Sequence, residues 1–430
     1  MKQTRVLYFF CILFMSCSNN AIRKEERKKL IYERLQSLLS EKEYFKLTSQ
    51  LFFYKDSIDK GQRLFFQSFV DNAFNRNRDA IKDIDILLSD AKTPDSIKCD
   101  LAALASDSYF KTFQYEKDAQ TDSLLLNHYQ RTLDSAKISD IKNHLLLCSA
   151  LKYIASQKTE IPASTSLKWA KDKIGLMEIP IKCRRKSYKA IFDTRANISS
   201  ITRTYAGRLG LKILDASYTE GSGITGIRFK TGLGIADSLY IGNILVRNAV
   251  FQVMPDSILY IAPVKFSLDI IIGFPIIEQL NEIHIFSNGN MTIPLHPSKS
   301  ELHNLALDHL DPVVSLKTDN DTLCFHFDSG ATSTELYSSY FNKYKSKIIQ
   351  SGQKKIKEFG GAGGAQKKET YILGAFHVYL GNKKATLYSV DVLTQKIYAS
   401  EKYYGNLGQD FINKFHEVIL NFGSMYIDAK

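Results

Sequence analysis

The chain lacks any cysteine pattern of the metal-binding or redox kind. Its six cysteines include no C-x-x-C pair. Cys99, Cys148, Cys183 and Cys324 lie far apart with no nearby histidine at ligand spacing, which excludes zinc-ribbon and thioredoxin-type chemistry. Whether they pair as disulfides or stay as buried free thiols is open at this level. The nine histidines include no H-E-x-x-H, and no G-x-S-x-G elbow precedes a helix, so zincin and α/β-hydrolase chemistry are also excluded. His284 and His416 read as strand or core residues. The amino-terminal apolar run, Val6–Met15, is too short to span a bilayer. Nor is there the compositional bias of a disordered chain: 44% of the 430 residues are hydrophobic, enough for two or three domains with cores of their own.

What is present begins with Lys2 and Arg5, the apolar run, then Ser16-Cys17. This is the pattern of a secretory signal peptide over residues 1–16. Phe14-Met15-Ser16-Cys17 also resembles a bacterial lipobox. That reading makes Cys17 the acylated first mature residue and the protein a membrane-anchored lipoprotein of a bacterial envelope; the alternative is an ordinary signal peptide with an incidental cysteine. Acyl chains contribute about 0.8 kcal/mol of anchoring per buried methylene. The formal charge is +12, and loss of Lys2 and Arg5 leaves +10. For an exported chain this points to an anionic membrane or cell-wall surface rather than to nucleic acid.

Glu25 to Leu151 reads as helical: charged and apolar residues recur at three- and four-residue spacing, with few glycines. Apolar clusters at Tyr44–Leu51, Ala80–Leu88 and Ala119–Leu126 fall about 35 residues apart, as in tetratricopeptide-like (TPR-like) helical hairpins or a plain bundle. Either form would serve as a spacer or as a surface for a protein partner. Around Gln157–Ser166 the pattern stops at a Pro162-containing linker. Beyond it, short β-branched or aromatic runs such as Tyr188–Phe192, Ile227–Lys230, Ser238–Ile241, Ala249–Met254 and Asp269–Ile272 are all-β in character. The expected division is a helical domain with linker (17–165) and two β lobes (166–300 and 301–430).

The β region carries an internal duplication. Phe192-Asp193-Thr194-Arg195-Ala196-Asn197-Ile198-Ser199 aligns with Phe327-Asp328-Ser329-Gly330-Ala331-Thr332-Ser333-Thr334. The same register pairs Ile201 with Leu336, Tyr205 with Tyr340, Lys212 with Lys347 and Ile213 with Ile348. Gly273 and Gly408 each follow their aspartate by 80 positions, and Ile277 matches Ile412, Glu282 matches Glu417 and Ile285 matches Leu420.

These motifs resemble those of the pepsin and retropepsin clan of aspartic proteases. Asp328-Ser329-Gly330-Ala331 fits the clan's motif fully, and Ser199 and Thr334 lean toward the retropepsin branch. The resemblance covers Ile174–Lys430 and implies an all-β bilobal acid-protease fold whose substrate is a peptide or protein. It makes Asp193 and Asp328 a dyad that shares one proton and activates a water, with no metal or other cofactor. Thr194 and Ser329 would then bond across the lobe junction, with Ala196, Ala331, Gly273 and Gly408 supporting the loops. The segments containing Gly223, Ile224 and Gly226, and Gly361 and Gly363, would be hairpin flaps over the substrate; mobile surface hairpins are the alternative. The first of them formally matches G-x-G-x-x-G, but a strand comes after it where a phosphate loop needs a helix.

Arg195 departs from the motif by replacing a glycine, and Asn406 departs in the second glycine element. A permanent positive charge two residues from Asp193 either fills the cleft, pairs with a carboxylate, or points outward. A pseudoprotease that binds peptides without cutting them is therefore the competing expectation. The cluster His303, Asp308, His309 and Asp311 reads as a solvated linker rather than a metal site.

Overall fold

The structure is a computed structural model describing residues 25–221, 228–361, 364–396 and 401–430. Cys17 and the segment before it lie outside these residues, as do Gly223, Ile224, Gly226 and Gly363. No described helix is long and apolar enough to cross a membrane.

The amino-terminal third is helical. Helix α1 spans 25–40, followed by α2 (Tyr44–Tyr54), α3 (Lys60–Ala73), α4 (Asn77–Ser89), α5 (Asp95–Lys111), α6 (Tyr115–His128) and α7 (Ser135–Leu151). From α2 on, each helix packs on the next, so short connections build successive hairpins. Helix α3 starts at Asp59 with a reciprocal capping box: the Asp59 carboxylate takes the Gln62 N–H, and the Gln62 side chain returns to the Asp59 N–H.

The remainder of the chain is β-rich. A nine-stranded sheet holds the first copy of the duplicated unit and an eight-stranded sheet the second. A five-stranded sheet is shared between them. At its centre Glu282–Phe286 pairs antiparallel with Glu417–Asn421, with Glu282 opposite Asn421, His284 opposite Ile419 and Phe286 opposite Glu417. Since the copies are offset by 135 residues, His284 and Ile419 are equivalent positions, and the pairing is symmetric about them.

Several expectations are corrected. The segment read as a linker contains the strand Lys158–Glu160, which pairs with Leu245–Arg247. Thr165–Lys168 is an edge strand of the shared sheet, so the boundary at 165 falls inside it. Among described residues, Ser238–Ile241 is the end of one long strand, Arg228–Ile241. Gly234, inside this strand, serves packing: a methyl group there would stand 3.0 Å from Val253 Cγ2 and 3.1 Å from Leu211 Cδ2. Lys212 and Ile213 begin a strand, whereas Lys347 and Ile348 lie in a helix, so that part of the duplicated register is coincidental. The four described cysteines are buried and free.

The helical region is no detached spacer. Lys42 bonds the Asp308 carboxylate at 2.6 Å. Asn75 donates to Glu278 Oε1 (2.7 Å) and to the Phe422 carbonyl (3.3 Å). Asp107 meets His309 at 2.8 Å. Asp308 and His309 therefore belong to a docked hairpin turn instead of a solvated linker.

Candidate active site

Each duplicated aspartate lies just past the end of a strand, Asp193 after Lys186–Phe192 and Asp328 after Thr322–Phe327. Both strands are held by parallel neighbours in equivalent registers: Ile271 and Ile272 lie beside Ile191 and Phe192, and Asn406 and Leu407 beside His326 and Phe327. The aspartate N–H groups extend this pairing, Asp193 to the Ile272 carbonyl (3.1 Å) and Asp328 to the Leu407 carbonyl (2.9 Å).

The glycines of the later elements are needed where they stand. A methyl group at Gly273 would lie 2.5 Å from the Ala196 carbonyl oxygen, and one at Gly408 would lie 2.9 Å from that of Ala331. Ser199 Oγ accepts the Gly273 N–H (2.9 Å) and Thr334 Oγ1 the Gly408 N–H (3.1 Å). Ala196 and Ala331 offer their carbonyls to Phe274 and Gln409, both at 2.8 Å. Each aspartate turn is thus fixed by the same four contacts.

The turns are locked to each other by reciprocal hydrogen bonds. Thr194 N–H donates to Ser329 Oγ (3.0 Å) and Ser329 N–H to Thr194 Oγ1 (3.0 Å). Thr194 Oγ1 donates onward to the Phe327 carbonyl (2.9 Å), and Ser329 Oγ to the Phe192 carbonyl (2.7 Å). Both side chains are fully buried, so every one of these bonds is made away from competing water.

This lock brings the carboxylates to one place. A methyl group at Gly330 would stand 2.3 Å from Asp193 Cγ, while the Gly330 N–H binds Asp328 Oδ1 at 2.9 Å. Asp193 Oδ1 accepts from the N–H groups of Arg195 (2.8 Å) and Ala196 (3.1 Å). Burial, and then the nearby Asp328 carboxylate, push the pKa of Asp193 up to about 7, against the pull of those N–H groups and the Arg195 charge.

Arg195 turns inward. Its Nη1 donates to Asn406 Oδ1 (3.2 Å) and lies 3.9 Å from Asp328 Oδ2, and its Nη2 lies 3.5 Å from Asp311 Oδ2. Asn406 Nδ2 donates to the same Asp328 oxygen at 2.9 Å. The two departures from the motif are therefore one feature: Asn406 bridges Arg195 to Asp328. Glu335 is also near, its pKa raised to about 7 by burial and by the charges of Asp328 and Asp391, against Arg195. His326 is buried between the Tyr337 and Tyr403 rings; burial, then Arg195 and Lys42, hold it well below the usual imidazole range. The roles of Asp311, Glu335 and His326 were missed from sequence. The available signal was the polar replacement of apolar residues between copies, such as His326 for Ile191 and Asn406 for Ile271.

The glycine-rich segments sit at the ends of long hairpins. Lys212–Gly221 pairs with Arg228–Ile241, closing with Gly221 opposite Arg228. Gln353–Gly361 pairs with Gly364–Leu380, closing with Gly361 opposite Gly364. Gly223, Ile224, Gly226 and Gly363, which fall between these strands in sequence, lie outside the described residues.

No family model matches the chain, and a search of curated proteins finds no significant relative.

Proposed function

We propose that this protein is an aspartic endopeptidase of bilobal acid-protease fold, exported and tethered to a membrane through acylated Cys17. The observation that carries the reading is the reciprocal Thr194–Ser329 lock, which holds two symmetry-equivalent carboxylates together. Two adjacent carboxylates cannot both ionise easily, so they retain one proton between them. This reading places the shared proton on Asp193, whose pKa burial and the neighbouring Asp328 carboxylate push up. Asp328, with the Asn406 side-chain N–H on its Oδ2 and the Arg195 guanidinium 3.9 Å away, is the general base of this reading. In this arrangement Asp328 takes a proton from a water between the carboxylates as the oxygen attacks the scissile carbonyl, and Asp193 donates its proton to the carbonyl oxygen. The tetrahedral intermediate collapses with proton transfer to the departing amine, completing hydrolysis without a covalent intermediate. The long hairpins are the candidate flaps over an extended peptide.

One observation favours a second reading, a peptide-binding pseudoprotease. The Arg195 guanidinium lies against Asp328 and Asn406, where it competes with the water for the base. A peptide library incubated with wild type and Arg195→Gly from pH 3 to 8 separates the two. Cleavage by wild type supports the peptidase. Cleavage by Arg195→Gly alone identifies a binding module, and cleavage by neither rejects the enzyme reading.

A further inference from the structure

Away from the dyad, the helical region contains a second convergence of reactive side chains. Asp118 and Asp122 stand one turn apart on α6, and His144 and Cys148 one turn apart on the facing α7. One potential ligand atom from each falls within 4.8 Å of all the others. Both aspartates and Cys148 are at most 1% exposed, while the His144 side chain keeps 30%. The expectation that no cysteine has a histidine at ligand spacing is thus corrected: four residues is the helical spacing that puts two side chains on one face.

We propose that Asp118, His144 and Cys148 bind a divalent transition-metal ion, preferentially Zn²⁺, with Asp122 positioning the histidine. His144 Nε2 lies 3.8 Å from Asp118 Oδ2 and 3.7 Å from Cys148 Sγ, and that sulfur lies 3.2 Å from Asp118 Oδ2. The two distances from His144 fall within the roughly 3.3–3.8 Å edges of a tetrahedral shell with bonds of about 2.0–2.3 Å, and the sulfur–carboxylate distance lies just below them, so a small side-chain adjustment completes the shell. The other ring nitrogen, His144 Nδ1, is 2.8 Å from Asp122 Oδ2, the carboxylate–histidine arrangement that orients an imidazole ligand and fixes its tautomer. Ser106 Oγ, on α5, lies 2.7 Å from Asp118 Oδ1 and 2.9 Å from Asp122 Oδ1, so its one O–H can donate to either carboxylate.

The donor set decides the class of ion. Thiolate with imidazole suits zinc and disfavours calcium or magnesium, which take oxygen ligands. Two buried carboxylates one helical turn apart also repel each other, and among described residues their only ion-pair partner is His144. A cation between them relieves that repulsion, as buried charges require pairing or coordination. Binding forms bonds to Asp118 Oδ2, His144 Nε2 and Cys148 Sγ, breaks the Cys148 S–H bond and releases its proton to solvent. His144, the exposed member, marks the way in. The ion would pin α6 to α7 and so stiffen the helical region that braces both β halves.

The test uses the full-length protein, stripped with a chelator and titrated with ZnCl₂ and, separately, CoCl₂. The expected result is one equivalent of tightly bound metal, a near-ultraviolet sulfur-to-cobalt absorption and a rise in Tm on adding Zn²⁺. Cys148→Ser should abolish the absorption, while Cys99→Ser should keep it. Asp122→Asn should keep the absorption but weaken Zn²⁺ binding about 10–100-fold. Far-ultraviolet circular dichroism selects folded variants; if Cys148→Ser does not fold, His144→Gln replaces it, with loss of stoichiometric binding as its readout. No stoichiometric binding to the stripped wild type, or sulfur-to-cobalt absorption that survives Cys148→Ser, overturns the proposal and leaves a closed hydrogen-bond cluster.

Discussion

Arg195 and Gly330 occupy equivalent turns but do opposite things to the carboxylate pair. Gly330 leaves Asp193 room, whereas Arg195 sets a positive charge between Asp328 and Asp311. That charge lowers the Asp193 pKa against the larger effect of burial. Activity that requires one shared proton should therefore fall on the alkaline side near pH 7. Arg195→Gly should move that limb to higher pH, because a cation that favoured ionisation is gone; a pH profile of kcat/KM reads the shift. Asp193 also links site to stability. Its folded pKa lies above the unfolded value of about 3.9, so its contribution is full below that pH and is lost as pH rises through about 7. Asp193→Asn should be inactive yet have a higher Tm than wild type at pH 8, with the difference shrinking toward pH 4. A lower Tm for the variant at pH 8 would show that the carboxylate is not held under strain.

At the scale of elements, the Thr194–Ser329 lock and the shared sheet hold the two halves in register. Ser329→Ala leaves the buried Thr194 N–H without its acceptor, a loss of about 1–3 kcal/mol. Denaturant unfolding should show that loss, together with a larger fall in kcat than in KM, because the carboxylates lose their alignment. In the shared sheet His284 is held between Glu417 (2.5 Å) and Glu282 (2.8 Å). Burial acts to raise the Glu282 pKa, but bonds from Ser298, His284 and Asn421 hold it down at about 2. That stability is present above the unfolded value of about 4.3 and fades as pH falls toward 2. Glu282→Gln should thus lower Tm at pH 7 and approach wild type below about pH 4. Much of this level was legible in the sequence. The Phe-Asp-[Thr/Ser]-x-Ala repeat located both turns, since a backbone contact that only glycine or a small hydroxyl satisfies leaves a local mark. What was not legible depends on distance in space: that Asn406 answers Arg195, or that a segment around Pro162 adds strands to two sheets. The His144–Cys148 spacing was readable within a segment already expected to be helical, but the two aspartates that complete the cluster come from a facing helix.

For the whole molecule, the helical region acts as a brace. Burial opposes ionisation of Asp107, but Lys111 and His309 hold its pKa well below the usual carboxylate range. Lys111 is 2% exposed in its side chain, so Asp107→Ala leaves a buried cation unpaired. The expected cost is about 3–5 kcal/mol, read as a lowered Tm. The decrement should shrink as acid protonates Asp107 in wild type; an unchanged Tm at neutral pH would mean that the brace does not hold. This coupling ties the helices to both β halves, which carry Asp193 and Asp328.

The central claim is that a water activated between Asp193 and Asp328 hydrolyses peptides. The most direct measurement is kcat/KM of wild type and Asp328→Asn on a cleaved library peptide at the wild-type optimum. The expected result is a loss of about 10³-fold or more on removing the general base, with the variant folded by circular dichroism. Cleavage by Asp328→Asn at the wild-type rate would contradict it.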